Sequence, residues 1–116
     1  MIRRHGTGKV EVREQMRGGA GSVTIEHLWQ PDEVIAKTRL FARLTLAPGA
    51  GIGFHEHAGE DEVYVILSGS GVVTEGGTRT SVTVGDTILT GNGAGHAIEA
   101  VGAEPLVLLA VIMTYG

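Results

Sequence analysis

Gly49-Ala50-Gly51-Ile52-Gly53-Phe54-His55-Glu56-His57-Ala58-Gly59-Glu60-Asp61-Glu62-Val63-Tyr64-Val65-Ile66-Leu67-Ser68-Gly69 is the stretch from which the rest of the chain is read. Successive side chains of a strand point to opposite faces, so His55 and His57 project together and Glu56 points away. Beyond the turn-forming Ala58-Gly59, the run Glu62 to Ser68 alternates again and places Tyr64 and Ile66 on the face of Glu62. A strand pair with imidazoles on one member and a carboxylate at the start of the other brings those groups side by side.

Outward from this stretch the same period-two pattern recurs almost without interruption. Val10–Arg13, Val23–Leu28 and Arg39–Leu46 precede it. Val72–Glu75, Thr78–Val84, Thr87–Thr90, His96–Val101 and Leu106–Met113 follow it. Gly76-Gly77 between two of these runs predicts a two-residue hairpin, and Gly85-Asp86 a further turn. Only Pro31 to Ala36 reads as a helical turn, with Asp32 near its start. About ten short strands spaced by turns predict an all-β sandwich or barrel. The 19 glycines among 116 residues, about twice the usual share, cluster between the runs as turn residues do.

Length and charge exclude several classes. A chain of 116 residues is one domain's worth, and 1–116 is read as a single domain without repeat or linker. A net charge of −4, with no basic run longer than Arg3-Arg4, argues against nucleic acid as partner and against a polybasic membrane anchor. Without cysteine there is no disulfide framework, thiolate nucleophile or sulfur-ligated zinc. The chain opens on polar residues, so no signal peptide is expected. The longest apolar run, Leu106 to Met113, falls far short of the roughly 20 residues that span a bilayer. A cytoplasmic protein is expected. Arg17-Gly18-Gly19-Ala20-Gly21 lacks both the spacing and the following helix of a phosphate-binding loop.

Three of the five histidines, His55, His57 and His96, together with Glu62 offer three nitrogens and one oxygen. That donor set suits one divalent transition metal per chain, with Fe, Mn, Ni, Co, Cu and Zn all open. Glu60 and Asp61 are rivals of Glu62 if the register slips, and are otherwise read as a solvated acidic loop. Tyr64 and Ile66 line the cavity beside Glu62, Ile98 and Ala100 share the face of His96, and Leu40, Ala42 and Leu44 close another wall. Arg39 and Arg43 are read as lying outside, and His5 and His27 as surface residues.

These residues resemble the cupin superfamily. Gly49-x5-His55-x-His57-x4-Glu62-x6-Gly69 fits every fixed position of the first cupin motif. A chance match somewhere in a chain of this composition has a probability of about 4 × 10⁻⁴, so coincidence is set aside. Gly85-x5-Gly91-x-Gly93-x2-His96-x3-Ala100 is similar to the second motif, with Gly91 in place of the family's proline and Ala100 in place of its asparagine. The resemblance implies a double-stranded β-helix, or jelly-roll, barrel with His55, His57, Glu62 and His96 as metal ligands. It also implies open coordination positions for a small-molecule ligand or substrate. The leading expectation is a small metal-dependent enzyme (oxygenase, decarboxylase or isomerase) acting on a small oxygenated compound, with no catalytic residue assigned. The alternatives are a metal-dependent binding or sensing module without turnover, and a metal that only stabilises the fold. A homodimer is expected, through the apolar strand Leu106–Met113 with Phe41 beside it.

Overall fold

Alternation of apolar and polar residues dictates where the chain extends, and glycine clusters dictate where it turns. The computed structural model describes residues 1–115 and contains ten strands among them: β1 (Lys9–Glu14), β2 (Ser22–His27), β3 (Thr38–Leu46), β4 (Gly51–Glu56), β5 (Glu60–Ser68), β6 (Ser70–Glu75), β7 (Thr78–Thr83), β8 (Thr87–Gly91), β9 (Gly95–Val101) and β10 (Leu106–Thr114). All pairings are antiparallel. One sheet has the order β1-β2-β3-β10-β5-β8 and the other the order β4-β9-β6-β7. This is the all-β jelly roll that the sequence predicts.

The hairpin at Gly76-Gly77 forms as expected, both residues taking positive φ between the paired β6 and β7. The expected helical turn is shorter than read. It is a 3₁₀ turn over Pro31–Glu33, closed by the Glu33 carboxylate accepting from the Gln30 backbone N–H at 2.9 Å. Its proline sits at the first position, where the missing N–H is no loss.

The inward faces of the two sheets make the core. Val23 and Ile25 of β2, Leu44 and Leu46 of β3, Ile66 of β5 and Leu106 and Leu108 of β10 are all essentially buried. Four polar residues are buried with them: His57, Glu62, Thr90 and His96. Strand β1 departs from the pattern. Its Glu11 and Arg13 oppose Ile25 and Val23 on the inward side, while Val10 and Val12 face out and are more than half exposed. At this open end the space between the sheets is a cavity, so the polar residues face inward there.

Leu108 is fully buried in mid-strand between β3 and β5. Leu108→Ala is expected to destabilise the protein by about 2–5 kcal/mol in urea unfolding, through lost transfer energy and the cavity left behind. Val84→Ala, at a largely exposed position, is expected to stay within about 0.5 kcal/mol.

Candidate metal centre

The four candidate donors come from two sheets. His55 of β4 is the direct cross-strand partner of His96 of β9. The ladder continues past the end of β4, with the His57 N–H donating to Ala94 O and the Gly93 N–H to His57 O, each at 2.9 Å. His57 therefore keeps the face of His55, two residues on. Glu62 approaches from β5 in the opposite sheet, where it pairs with Thr90 of β8. Period-two alternation and one sheet facing another suffice to bring four residues spanning 55 to 96 together.

The distances are short. His57 Nε2 lies 3.0 Å from His96 Nε2, which lies 3.2 Å from His55 Nε2. Glu62 Oε1 stands 2.9 Å from the Nε2 atoms of both His57 and His96. The three rings are mutually steep, at 71° to 90°, with centroids 4.7–4.8 Å apart. Donors about 2.1 Å from one ion and at right angles around it stand roughly 3.0 Å apart, against about 3.4 Å for a tetrahedron. These four separations lie nearer the right-angled value, and all four donor atoms lie within 4.8 Å of one another, close enough to share one ion.

Tautomers sharpen the fit. His55 Nδ1 is 2.8 Å from Gly53 O, and His57 Nδ1 is 2.5 Å from Glu60 Oε2. Both partners only accept, so each Nδ1 carries the hydrogen, and in the neutral, ligating form that leaves each Nε2 its lone pair. Thr90 Oγ1, 2.9 Å from His96 Nδ1, can accept likewise. Although two imidazole nitrogens are near it, Glu62 Oε1 is buried without a hydrogen-bond donor among the described residues. Lone pairs thus converge in a water-poor interior where nothing on the protein satisfies them all. A divalent cation would. Burial lowers the pKa of His55, and its histidine neighbours add to that effect against the pull of its bond to Gly53 O. The imidazole is therefore neutral at pH 7, the form that ligates.

Around the cluster lies a cavity of about 160 Å³, walled by Ile25, Leu40, Leu44, Ile52 and Ile112. Tyr64 lines it as expected, buried and stacked on His96 at 5.0 Å. Burial raises the Tyr64 pKa well above its usual 10, and the charge of Glu62 and a hydrogen bond to it add to the shift. The phenol therefore keeps its proton.

Two readings of the neighbourhood change. Glu60 is not in a solvated loop. It opens β5, stands mostly buried, and holds Arg39 at 2.9 Å as well as His57. The Arg39 guanidinium, with His57 beside it, lowers the Glu60 pKa to about 2. Arg39 lies at the surface as expected, about half exposed, and also reaches the cavity rim. His27 is not a surface residue either. It follows Val23 and Ile25 on the inward face of β2 and lines the cavity with Arg13 and Arg17. The rim therefore carries titratable and cationic groups in addition to the Tyr64 inside. Arg43 and His5 do lie away from the cluster, paired with Glu26 and with each other. Glu56 is exposed, as alternation requires.

Sequence reasoning missed Glu60 and Thr90 as partners of the histidines. Thr90 did leave a trace, since it shares the inward face of β8 with Ile88 and is the polar member of that pair. The departure at Gly91 also has a physical reason. A Cβ there would stand 1.9 Å from Asp61 Oδ1 and 2.9 Å from Asp61 Cα. The space is taken by the Asp61 carboxylate, which accepts from the Tyr115 hydroxyl at 2.5 Å.

Comparison with known proteins agrees with this fold. The family profile described as "Cupin domain" matches residues 42–112. A protein of Thermotoga maritima named oxalate-binding protein is 44% identical over 98 residues, which are 84% of this chain and 81% of that protein. A crystal structure of a predicted oxalate decarboxylase from Thermotoga maritima superposes with a TM-score of 0.94 at 40% identity, covering 98% of this chain and 99% of that one. A cupin 2 conserved barrel domain protein from Salinispora arenicola shares the fold, with a TM-score of 0.73 at 20% identity over 97% of this chain and 87% of its own.

The orphaned oxygen yields a prediction. In the presence of EDTA, Glu62→Gln should stabilise the protein by about 1–3 kcal/mol in urea unfolding, because an amide N–H2 then faces the imidazole lone pairs. A loss of stability in the metal-stripped variant would contradict the assignment of lone pairs.

Proposed function

The chain belongs to the cupin domain family, and on that premise we propose that it is a metal-dependent cupin enzyme acting on a small carboxylate of the oxalate type. His55, His57, Glu62 and His96 hold one divalent transition metal. The observation that carries the reading is the convergence of His55, His57, Glu62 and His96, whose ligating atoms lie within 4.8 Å of one another, around a buried Glu62 Oε1 that has no hydrogen-bond partner among the described residues. The name of the 44% identical relative supports oxalate as the ligand to try first.

When bound, the metal supplies a Lewis acid with positions open to an oxygen donor. The protein's own groups do the rest. Glu60, the Gly53 carbonyl and Thr90 fix the imidazole rings from behind, as outer partners of metal-binding histidines commonly do. The apolar wall limits water. Tyr64, held protonated, offers its hydroxyl beside Glu62. A cationic rim draws anions into the cavity. No helix among the described residues is long and apolar enough to cross a membrane.

A second reading, binding without turnover, is favoured by one feature: no carboxylate other than Glu62 lines the cavity. A carboxylate base outside the metal set is therefore missing from the walls. The experiment is metal analysis of untagged protein followed by oxalate titration and assay for formate and carbon dioxide. One transition metal per chain is expected, lost in His57→Ala, with oxalate binding that depends on it. Product release supports the enzyme, whereas metal-dependent binding without product supports the second reading. No metal after reconstitution would contradict both.

We also place a second copy of the chain on the outer face of the larger sheet. Register aligns Phe41, Val111, Val63 and Leu89 in one row across β3, β10, β5 and β8, with Leu109 and Val65 in the next. Leu89 is 67% exposed. Two-fold pairing is the commonest way such a face is covered. A solution mass twice the chain's 12.1 kDa is expected, falling to that of one chain in Val111→Asp. A monomeric wild type would refute this.

A further inference from the structure

We propose that Arg17 is the specificity-determining residue of the cavity, recognising the second carboxylate of a small dicarboxylate whose first carboxylate lies against the histidine–glutamate cluster. The inference rests on the reading of that cluster given above and adds the residue that selects the ligand.

Arg17 lies in the glycine-rich segment between β1 and β2, which is not a phosphate loop and which the metal site does not use. Here the chain makes a 3₁₀ turn over Met16–Gly18, and Met16 and Arg17 line the cavity. Gln15 and Arg17 both take left-handed backbone conformations, at φ 52° and 53°. Such conformations cost free energy in residues other than glycine and persist only where the surroundings enforce them. The enforcement is visible. Gly18 N–H donates to Gln15 O and Gly19 N–H to Met16 O, each at 2.9 Å, and Gln15 N–H donates to Gly21 O at 3.0 Å. The segment is tied to the ligand-bearing strand by Gly51 N–H donating to Ala20 O at 2.8 Å. It also lies flat on that strand, because a Cβ at Gly53 would stand 1.9 Å from Arg17 O. Gly53 is two residues before His55. The strain and the close approach thus fix Arg17 at the cavity, next to the strand that presents two of the candidate donors.

Charge pairing separates Arg17 from the other rim cations. Arg13 meets Glu11 at 2.7 Å, Arg39 meets Glu60 at 2.9 Å, and His27 lies 3.4 Å from Glu11. Among the described residues Arg17 has no carboxylate within ion-pair distance and no side-chain hydrogen bond. It is the uncompensated cation of the rim. A guanidinium presents a planar fork that matches a carboxylate with two parallel hydrogen bonds. An ion in the cluster accounts for one carboxylate of a ligand, and Arg17 then complements a second. The cavity of about 160 Å³ keeps such a ligand small. A monocarboxylate uses the metal alone and gains nothing from Arg17.

The test is calorimetric titration of the metal-reconstituted, untagged full chain with oxalate and, separately, acetate. Arg17→Asn removes the charge while keeping a residue that tolerates the left-handed backbone. Metal content equal to wild type shows that the site has stayed intact. Oxalate affinity is expected to fall at least tenfold in Arg17→Asn and to recover in part in Arg17→Lys, with acetate affinity changed less than twofold. Arg13→Gln, at the paired rim arginine, is expected to change oxalate affinity less than threefold. Unchanged oxalate affinity in Arg17→Asn overturns the inference while leaving the metal site standing. Equal losses for oxalate and acetate overturn it as well, since they show a diffuse field and no recognition of a second carboxylate. A wild type that binds oxalate no better with metal than without overturns the reading of the cluster, and this inference with it.

Discussion

Four donor atoms with their lone pairs turned toward one another, in a space water hardly reaches, are the constraint on which this structure depends. The Nδ1 hydrogens of His55 and His57 are committed to Gly53 and Glu60, so in the ligating form neither imidazole donates to Glu62. Leaving a buried carboxylate oxygen without a donor is expensive in any protein. The rings are held there by cross-strand pairing of His55 with His96 and by a sheet-to-sheet approach of Glu62. Local repulsion is tolerated because the core around it is apolar and closely packed, from Val23 and Ile25 on one side to Leu108 and Ile66 on the other.

The same two sheets explain why the site opens only in one direction. Inward positions of β3 and β10 carry aliphatic side chains along most of their length, whereas β1 turns Glu11 and Arg13 inward and its valines outward. That inversion marks the edge of the core. Beyond it come the arginines, and between core and arginines lies the cavity. Function at this site therefore divides by layer: rings and carboxylate at the floor, aliphatic wall, charged rim.

What was legible in the sequence was the part governed by local rules. The ten strands follow from alternation, the hairpin from Gly76-Gly77, and the grouping of His55, His57, Glu62 and His96 from strand periodicity together with a motif resemblance. Groups joined by long-range packing were not legible. Glu60 looked like loop because it follows a glycine turn, yet β5 begins two residues before Glu62 and brings Glu60 onto the same inward face. His27 could have been placed by continuing the alternation of Val23 and Ile25. Arg17 could not, since a left-handed backbone at an arginine and its contact with Gly53 have no signature in residue order. Gly91 read as a loosened turn, and only the Asp61 side chain lying across it shows why proline does not fit.

Metal geometry tests the account at its centre. X-ray absorption at the metal edge, recorded on untagged protein with and without oxalate, reports the ligands directly. Three imidazole nitrogens and one carboxylate oxygen at about 2.1 Å, completed by further oxygen donors that change when oxalate is added, are the predicted result. A closed four-coordinate shell that ignores oxalate would contradict a binding role for the site. A shell lacking three imidazoles would contradict the ligand set itself.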